Sequence, residues 1–445
     1  PPCKTLRVRK DIKCLSKREL SDLIHVFKQL YANGVMDMYS LVHGSPPCKT
    51  LRVRKDIKCL SKRELSDLIH VFKQLYANGV MDMYSLVHGS YWSSIHKFSE
   101  AVPWHRWHIN EFEKEMRKIN PKITLPYWEY ITDFGAPEKS SIWRTFGRAG
   151  NRYNGYCVPD GAFAYQMVEN PEPHCIRRQW NLNKTMPVWE PPEWVTSLTQ
   201  TSKTWPQFAQ LLGYSAHFKT HLYVGGYEGE MSDIYATNDP VFYIFHAHVA
   251  DYAILKWQLA DDQNLLPITY NQGLRYDWER DEILRADIES DYLTYYDNAR
   301  VKEIFEIGFG DMCYIHDQLV QPILDIMANK RPKVPNIAIN LMKSLPSDVF
   351  EYYFPKFASK TATFFDYFLP DVQSGHNFNH KSAFCDEMPV ALTFNSTPNG
   401  RRLLDVFRTE ASIDVTPDAF NAEQQYYQFI EDLNKYKYCS PYLIT

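Results

Sequence analysis

The chain has 445 residues, of which 44% are hydrophobic and 23% are charged, so it can bury a large core. Its formal net charge is -4 and it has no long basic block, which argues against nucleic acid as the main partner because phosphate binding requires clustered lysine and arginine. No apolar run approaches the ~18 residues that a membrane span needs. We therefore expect a soluble chain, either mature or trimmed, because no signal-like segment follows Pro1.

Residues 1–45 and 46–90 are identical at every position. A solenoid would need three or more diverged units, so we interpret the identity as a recent duplication or an artefact of sequence assembly rather than a functional tandem module. The duplication gives His88 a twin, His43. Only the second copy runs directly into His96 and His105, so we assign the candidate ligand to His88 and leave open whether His43 can replace it.

Cysteine content and two sequence triplets favour a secreted protein. The chain has nine cysteines, and seven remain when the duplicated segment is counted once, so at least one thiol has no partner within the chain. Asn183-Lys184-Thr185 and Asn395-Ser396-Thr397 match the pattern for N-glycosylation. We expect an extracellular glycoprotein with disulfides, whose pairing the sequence leaves open.

The predicted elements are mainly helices. Ser61 and Glu64 form a capping box before an amphipathic helix that Asn78-Gly79 ends. A further helix opens at His105 and continues through 111–118, and residues 133–205 are rich in Gly, Pro, Asn and Trp, which predicts long surface loops. Helical patterns return over about 206–224 and 239–260. We divide the chain into the duplicated segment 1–45, a domain over 46–300, and a C-terminal extension of mixed structure over 301–445.

The first group of candidate ligands consists of His88, His96 and His105. Their spacing is too wide for one helical face, so we expect a loop to bring them together. His108 lies one turn beyond His105 on a similar face, which favours a role in orienting a ligand at the edge of the site.

The second group consists of His217, His221 and His246. His217 and His221 are spaced i and i+4, so both rings project from one face of a helix. His246 lies in an apolar segment whose helix Asn238 or Asp239 can cap. Because a buried imidazole needs a partner, a metal ion would explain this histidine. His248 is about 200° further round the helix, so we expect it to support or pack rather than to bind the same ion.

Two sets of three imidazoles, without cysteine or carboxylate, suit two copper ions with open coordination positions. A zinc hydrolase is disfavoured because the chain has no H-E-x-x-H motif. Outside the two groups, we interpret His376 and His380 as surface histidines of a Gly- and Asn-rich loop, and His174 likewise as a surface histidine.

Four blocks of sequence resemble the type 3 copper family, which comprises tyrosinases, catechol oxidases and molluscan hemocyanins. These blocks are VPWHRWHINEFE, LPYWEY, HFKTHLYVGG and NDPVFYIFHAHVAD, and they occur in the family's order. The resemblance covers about residues 46–300. It implies a four-helix bundle around a dicopper centre, with the first three histidines on one ion and the second three on the other. It also implies dioxygen-dependent oxidation of a small phenolic or diphenolic substrate, o-diphenols giving o-quinones.

Three positions depart from the family pattern. Phe245 stands where many members have a histidine, Phe218 where many have asparagine, and Gly213 where some have glutamate. The last two family residues are thought to hold a water that deprotonates monophenols, so we expect diphenol oxidation to be more secure than monophenol hydroxylation. Phe218 is also expected to narrow the pocket.

Two alternatives to a phenol-oxidising enzyme stay open. An oxygen carrier like the molluscan hemocyanin units predicts a reversible oxygen complex and a shielded site, and an inactive matrix protein predicts little copper. A carrier unit is expected to end in a compact β domain, whose pattern is not recognisable in residues 301–445. That segment is instead expected to shield the entrance of the site. The sequence does not determine the oligomeric state or the physiological phenol.

Overall fold

The computed structural model describes residues 48, 50–96, 99–180, 185–261, 265–327, 336–368, 417–438 and 440. Several sequence predictions lie outside these residues. They concern His43 and the rest of the first copy, His376 and His380, and Asn183 and Asn395 of the two glycosylation triplets.

The fold is mainly α, as predicted. Sixteen α-helices are described in chain order: α1 Lys62–Ala77, α2 Val80–Ile95, α3 Ala101–Ile119, α4 Trp143–Phe146, α5 Pro192–Thr201, α6 Trp205–Leu212, α7 Phe218–Gly225, α8 Pro240–His246, α9 Ala253–Ala260, α10 Leu265–Thr269, α11 Val301–Phe305, α12 Asp317–Met327, α13 Asn336–Ser344, α14 Ser347–Tyr353, α15 Pro355–Ala358 and α16 Pro417–Lys435. Two π-helical segments, Gly213–His217 and Ala247–Tyr252, join α6 to α7 and α8 to α9.

Six short strands form three two-stranded sheets within the described residues. They are β1 Arg52–Arg54, β2 Met167–Val168, β3 His174–Cys175, β4 Leu274–Asp277, β5 Glu282–Arg285 and β6 Tyr314–His316. Strands β1 and β6 pair in parallel, with Val53 opposite Ile315, whereas β2 with β3 and β4 with β5 are antiparallel. The sheets are therefore small attachments to a helical core.

Helix α1 begins and ends where the sequence predicts. The Ser61 hydroxyl accepts a hydrogen bond from the Glu64 backbone N–H at 3.2 Å, and the Glu64 carboxylate accepts one from the Ser61 N–H at 2.8 Å. The next residues are Asn78, which caps the C-terminus, and Gly79, whose φ of 78° lies in the left-handed region that favours glycine. This turn lets α2 start at once, so His88 lies inside a helix.

Helix α3 starts at Ala101, four residues before His105, so the prediction that His105 opens this helix is wrong. Pro103 explains the early start, because proline fits the first turn of a helix, where its missing N–H has no intrahelical partner. His105 thus lies in the second turn of the helix, and its ring can reach back to the preceding turn.

In residues 133–180 and 185–205 irregular structure predominates, as predicted, but part of it is buried rather than at the surface. The segment contains short turns, sheet β2–β3 and helix α5, and its tryptophans are buried. Trp128 of the neighbouring segment packs edge-to-face against Trp143 and Trp189, with ring centroids 5.5 and 5.6 Å apart. The tryptophans of this segment anchor it, because each indole buries enough apolar area to hold an irregular backbone against the core.

A buried ion network joins the N-terminal strand to two of the helices. Arg54 contacts Glu113 of α3 at 2.7 Å and Asp251 of the second π-helical segment at 2.6 Å. Asp251 also accepts hydrogen bonds from Tyr314 at 2.9 Å and contacts Arg106 at 3.1 Å. Burial by itself raises the pKa of Asp251, but His316 and the two arginines outweigh it and hold this pKa well below its usual value. The carboxylate therefore stays charged in the core.

The C-terminal extension contacts the helical core at both ends. Strand β6 pairs with β1, and a disulfide joins Cys313 to Cys48, while α16 packs on α6 and on the first π-helical segment. The described part of residues 301–445 is mostly helical rather than mixed, with β6 as its described strand. The division of the chain near residue 300 stays a prediction.

Replacing Asp251 by asparagine is expected to destabilise the protein by about 3–5 kcal/mol, because Arg54 and Arg106 lose the buried charge that compensates theirs. The measurement is the midpoint of urea unfolding at pH 7. The folded-state pKa of Asp251 is lowered, so its contribution is present above the unfolded pKa and is lost as the pH falls below it. The difference between wild type and Asp251→Asn should therefore shrink on acidification. The exposed Asp297→Asn is the control, and an equal loss in both variants would contradict the ion network.

Candidate metal centre

The three histidines of the first group meet although they come from different elements. His88 lies in the middle of α2, His96 caps its C-terminus, and His105 lies in α3, so a loop is needed only between His96 and His105. One ring nitrogen of each lies within 4.8 Å of the others. The ring centroids are 4.7 to 5.5 Å apart.

The second group also converges. His217 ends the first π-helical segment, His221 follows one turn later in α7, and His246 ends α8. The Nε2 atom of His246 is 3.0 Å from that of His221 and 3.4 Å from that of His217. Ligand atoms that each lie ~2 Å from one ion are separated by about this distance.

The π-helical segments occur where the second group is built. A π turn inserts one extra residue into a helix and is frequent at functional sites. Gly213–His217 ends on one candidate ligand, and Ala247–Tyr252 begins directly after another, His246. The Asp239 carboxylate caps α8 by accepting the Val241 N–H at 2.9 Å, as the sequence predicts, with Pro240 in the first turn. The cap and the π turn thus fix where His246 lies along its helix.

The two groups face each other across a short gap. His105 and His246 stack at 4.6 Å between ring centroids, with an interplanar angle of 12°, and His96 lies parallel to His217 at 6.3 Å. Phe242 closes one side, with its ring 4.0 Å from that of His246 and 5.1 Å from that of His88. Six imidazoles therefore surround one small space.

Hydrogen bonds to backbone carbonyls fix the tautomer of four of these rings. His96 and His105 donate from Nδ1 to Trp92 O at 2.9 Å and to Ala101 O at 2.6 Å, each one turn earlier. His88 and His221 donate to carbonyls of the segment after Gly229, Ile234 O and Met231 O, both at 2.6 Å. A proton on Nδ1 leaves Nε2 with a free lone pair directed into the gap.

The buried lone pairs test whether the site fits metal ions. The Nε2 atoms of His88 and His105 are buried and have no hydrogen-bond partner in the part of the chain that the structure describes. Burial lowers the pKa of His88 to about 3 and that of His221 to about 4. Burial, together with neighbouring histidines, also lowers the pKa values of His96, His105, His217 and His246. Neutral imidazoles with orphaned acceptor nitrogens are what a metal ion requires.

The further residues singled out from the sequence lie around the two groups. His108 stacks on Trp104 at 4.5 Å, and the Nδ1 of His108 is 2.8 Å from the Tyr296 hydroxyl. It therefore packs behind the first group. His248 lies 2.8 Å from the Glu129 carboxylate through Nε2 and belongs to neither group.

The three positions that depart from the family pattern surround the second group. Phe245 is fully buried and stacks behind His217 at 5.9 Å, so it lies away from the opening. Phe218 is only half-buried, at the opening, where its ring stacks on Tyr214 at 5.6 Å. Gly213 lies beside it on the pocket wall, with a φ of -62° and open space where a Cβ would lie.

A pocket of about 950 Å³ leads to the gap. Four of the six histidines line its floor: His96, His105, His217 and His246. The Tyr276, Trp278 and Ile283 side chains of the β4–β5 hairpin line one wall, and Asn421 and Gln425 of α16 line another. The candidate metal centre is therefore accessible to a small molecule.

Sequence reasoning missed the segment that holds one ring from each group. We call residues 230–235 the carbonyl strap, because Met231 O binds the His221 ring and Ile234 O binds the His88 ring. The buried Glu230 carboxylate anchors its start by accepting from His174 Nε2 at 2.8 Å and from Asn238 Nδ2 at 2.9 Å. Glu230 raises the pKa of His174, which is only partly exposed and is not the simple surface histidine that we expected. Backbone acceptors leave no mark in a sequence, so no signal could have revealed the strap.

Comparison with known proteins finds a similarity in the region that carries both histidine groups. Residues 68–260 match the family model described as the common central domain of tyrosinase. A tyrosinase from Streptomyces lincolnensis is 29% identical over 181 residues, which cover 37% of this chain and 64% of that protein. A putative tyrosinase-like protein from Caenorhabditis elegans is 33% identical over 175 residues, covering 35% of this chain and 23% of the relative.

A solved structure agrees with the fold. A polyphenol oxidase variant from Thermothelomyces thermophila superposes with a TM-score of 0.50 at 18% identity, over 68% of this chain and 98% of its own. Over residues 68–260 the chain is similar to the common central domain of tyrosinase, and this similarity agrees with the fold. Together with the two histidine groups, this similarity indicates a dinuclear copper site. The matched part spans just under two thirds of the Streptomyces relative.

The variant Glu230→Gln is expected to weaken copper retention about tenfold, because changes in groups that orient metal ligands cost 10–100-fold in affinity. The measurement is the copper that remains bound during titration with a chelator. Glu228→Gln, two residues away at an exposed position, is the matched control. Thermal unfolding of the copper-free variants separates a lost fold from a misplaced strap. An unchanged chelator midpoint in Glu230→Gln would show that the strap does not depend on its anchor.

Proposed function

We propose that the protein oxidises phenols with dioxygen and that its main substrates are o-diphenols, which it converts to o-quinones. The observation that carries this proposal is the pairing of two histidine groups, with free Nε2 lone pairs, at the floor of an open pocket. We assign His88, His96 and His105 to one copper ion and His217, His221 and His246 to the other. Bound copper would supply dioxygen activation and accept electrons from the phenol. Overall, two o-diphenols each lose two electrons and two protons, and one dioxygen becomes two waters.

The contributions of the protein follow from the geometry of the site. Backbone carbonyls hold the ring protons on Nδ1, so the ligand nitrogens stay unprotonated at neutral pH. Phe242 and Phe245 exclude water from the inner side of the rings, while the pocket leaves the side near His96 and His217 open. A flat phenol ring that enters beside Phe218 is thereby directed to the gap between the two groups.

An enzyme fits these observations better than an oxygen carrier. The described part of residues 301–445 is mostly helical and lacks the compact β domain expected of a molluscan carrier unit. The pocket also gives access to the histidines rather than enclosing them. Helix α16 borders the entrance through Asn421 and Gln425, which supports the proposal that the C-terminal extension partly shields the site.

We also propose that the protein is secreted. The disulfides Cys48–Cys313 and Cys157–Cys175 support this proposal, since disulfides persist in oxidising compartments. N-glycosylation at Asn183 belongs to the same proposal, and Thr185 of that triplet is exposed. In the described residues, no helix is long and apolar enough to cross a membrane.

The variant pair His88→Gln and His43→Gln tests the ligand assignment directly, because the same sequence precedes both histidines and only His88 is followed by His96 and His105. Wild type should bind about two copper ions per chain and oxidise 4-methylcatechol. His88→Gln should bind about one and lose the oxidation, because two nitrogens hold copper less well than three. His43→Gln should match wild type in copper content and rate. Retention of both copper ions in His88→Gln would overturn the assignment, and wild type without copper would overturn the function.

A second variant pair tests why diphenols should be favoured. The double variant Gly213→Glu with Phe218→Asn adds a carboxylate and an amide at the pocket wall, and the open space at Gly213 accommodates the new side chain. A base that takes the phenol proton should raise the ratio of monophenol to diphenol turnover by about a hundredfold. The control is Gly213→Gln with Phe218→Asn, which matches the shape without the charge. If both double variants behave alike, the carboxylate is not the missing element.

A further inference from the structure

The described walls of the pocket carry no formal charge. Apart from imidazoles, its described lining consists of apolar, aromatic, hydroxyl and amide side chains, without a carboxylate, ammonium or guanidinium group. The polar atoms near the entrance belong to amides and hydroxyls, such as Gln207, Asn421, Gln425 and Thr204. A substituent on a bound phenol therefore meets hydrogen-bonding groups but no ionic partner among these residues.

Three charged residues that lie close in sequence to the pocket lining are already engaged by other groups. Arg275 of strand β4 forms an ion pair with Asp291 at 3.0 Å, and the Asp281 carboxylate at the exposed hairpin tip accepts a hydrogen bond from the Tyr276 hydroxyl. None of these three ionic side chains lines the pocket. Charges at an exposed hairpin tip are also screened by solvent, so they stabilise a substrate cation inside the pocket only weakly.

The aromatic rings of the pocket do not replace a missing carboxylate. Trp278 already makes edge-to-face contacts with Tyr91 at 6.0 Å and Tyr276 at 5.0 Å, and Phe218 is stacked on Tyr214. A cation over such a ring gains little at an accessible site. An ammonium group that enters the pocket would lose part of its hydration without gaining an ion pair.

We propose that this site selects uncharged phenols and discriminates against phenols that carry an ammonium group. This inference rests on the proposed function and adds the substrate class. Bound copper adds only positive charge to the floor of the pocket, which disfavours cations further. The selected class includes phenols whose amine is present as an amide, because the amide keeps the length of the substituent, removes the charge, and can bond to Gln207 or Gln425. A volume of about 950 Å³ leaves room for such a substituent beside the ring.

The test compares dopamine, N-acetyldopamine and 4-methylcatechol as substrates of the copper-loaded protein. Dopamine and N-acetyldopamine differ by one acetyl group and by the positive charge that it removes. The expected kcat/KM for N-acetyldopamine exceeds that for dopamine about tenfold, with most of the difference in KM, because the cost of an unpaired charge falls on binding. 4-Methylcatechol should behave like the neutral amide.

Two single variants on α16 place the same new charge inside and outside the pocket. Gln425→Glu adds a carboxylate at the entrance, whereas Gln424→Glu adds one at the preceding exposed position, which does not line the pocket. Gln425→Glu should lower the ratio of the KM for dopamine to the KM for 4-methylcatechol about threefold, because an exposed ion pair contributes about that much. Gln424→Glu should leave this ratio unchanged.

The outcomes separate this inference from the proposed function. Equal kcat/KM for dopamine and N-acetyldopamine, or the same effect from both glutamate variants, would overturn the charge selection while leaving phenol oxidation intact. If copper-loaded protein oxidises none of the three compounds, the proposed function fails. In that case, calorimetric binding of dopamine and N-acetyldopamine without oxygen decides whether the pocket selects uncharged phenols. Tighter binding of N-acetyldopamine supports this selection, and equal binding overturns it.

Discussion

The structure depends on keeping six imidazoles neutral and correctly turned inside a buried space. Burial removes the charged form of each ring, since it lowers the pKa values of all six histidines. A neutral ring still has two tautomers, and backbone carbonyls select the one that directs an acceptor nitrogen inward for His88, His96, His105 and His221. The unpartnered nitrogens that result cost free energy in a dry core, and a metal ion compensates that cost.

The surrounding scaffold holds these rings at two levels. The ion network of Arg54, Glu113 and Asp251 ties the N-terminal strand to α3, which carries His105, and to the π-helical segment that directly follows His246. The carbonyl strap works closer to the metal centre, because one short segment holds a ring of each group. A displacement of this strap would move one ring of each group, so the two groups are built as one unit rather than as two separate sites.

Different parts of the pocket bind copper and select the substrate. Its floor is formed by histidines of the two groups. Its walls come from the β4–β5 hairpin, α6 and α16. Loops and termini vary more readily than a packed bundle, so substrate preference can change without disturbing the ligands. The described walls carry no charge, and Gly213 has no side chain. Both features of this chain affect how the substrate binds and leave the copper ligands unchanged.

The sequence predicted correctly those features that interactions between neighbouring residues decide. The capping box of Ser61 and Glu64, the Asp239 cap of α8 and the i, i+4 spacing of His217 and His221 each involve residues within a turn or two. The same reasoning failed at α3, where it started the helix at His105 instead of Ala101, and in residues 133–205, where buried tryptophans were taken for surface residues. In both places the predicted and the observed structures are equally compatible with the local composition, and only packing distinguishes them.

By itself, the sequence determined the helical class, the helix ends that caps define and the two groups of histidines, because these are set by spacing along the chain. Tertiary structure alone decided that His105 stacks on His246, 141 positions later, since convergence depends on how the helices pack. It also decided that Met231 and Ile234 turn the His221 and His88 rings, because every residue has a carbonyl and only the fold chooses which ones point at a ring. The uncharged pocket belongs to the same class of features, since its walls combine segments that lie far apart in the sequence.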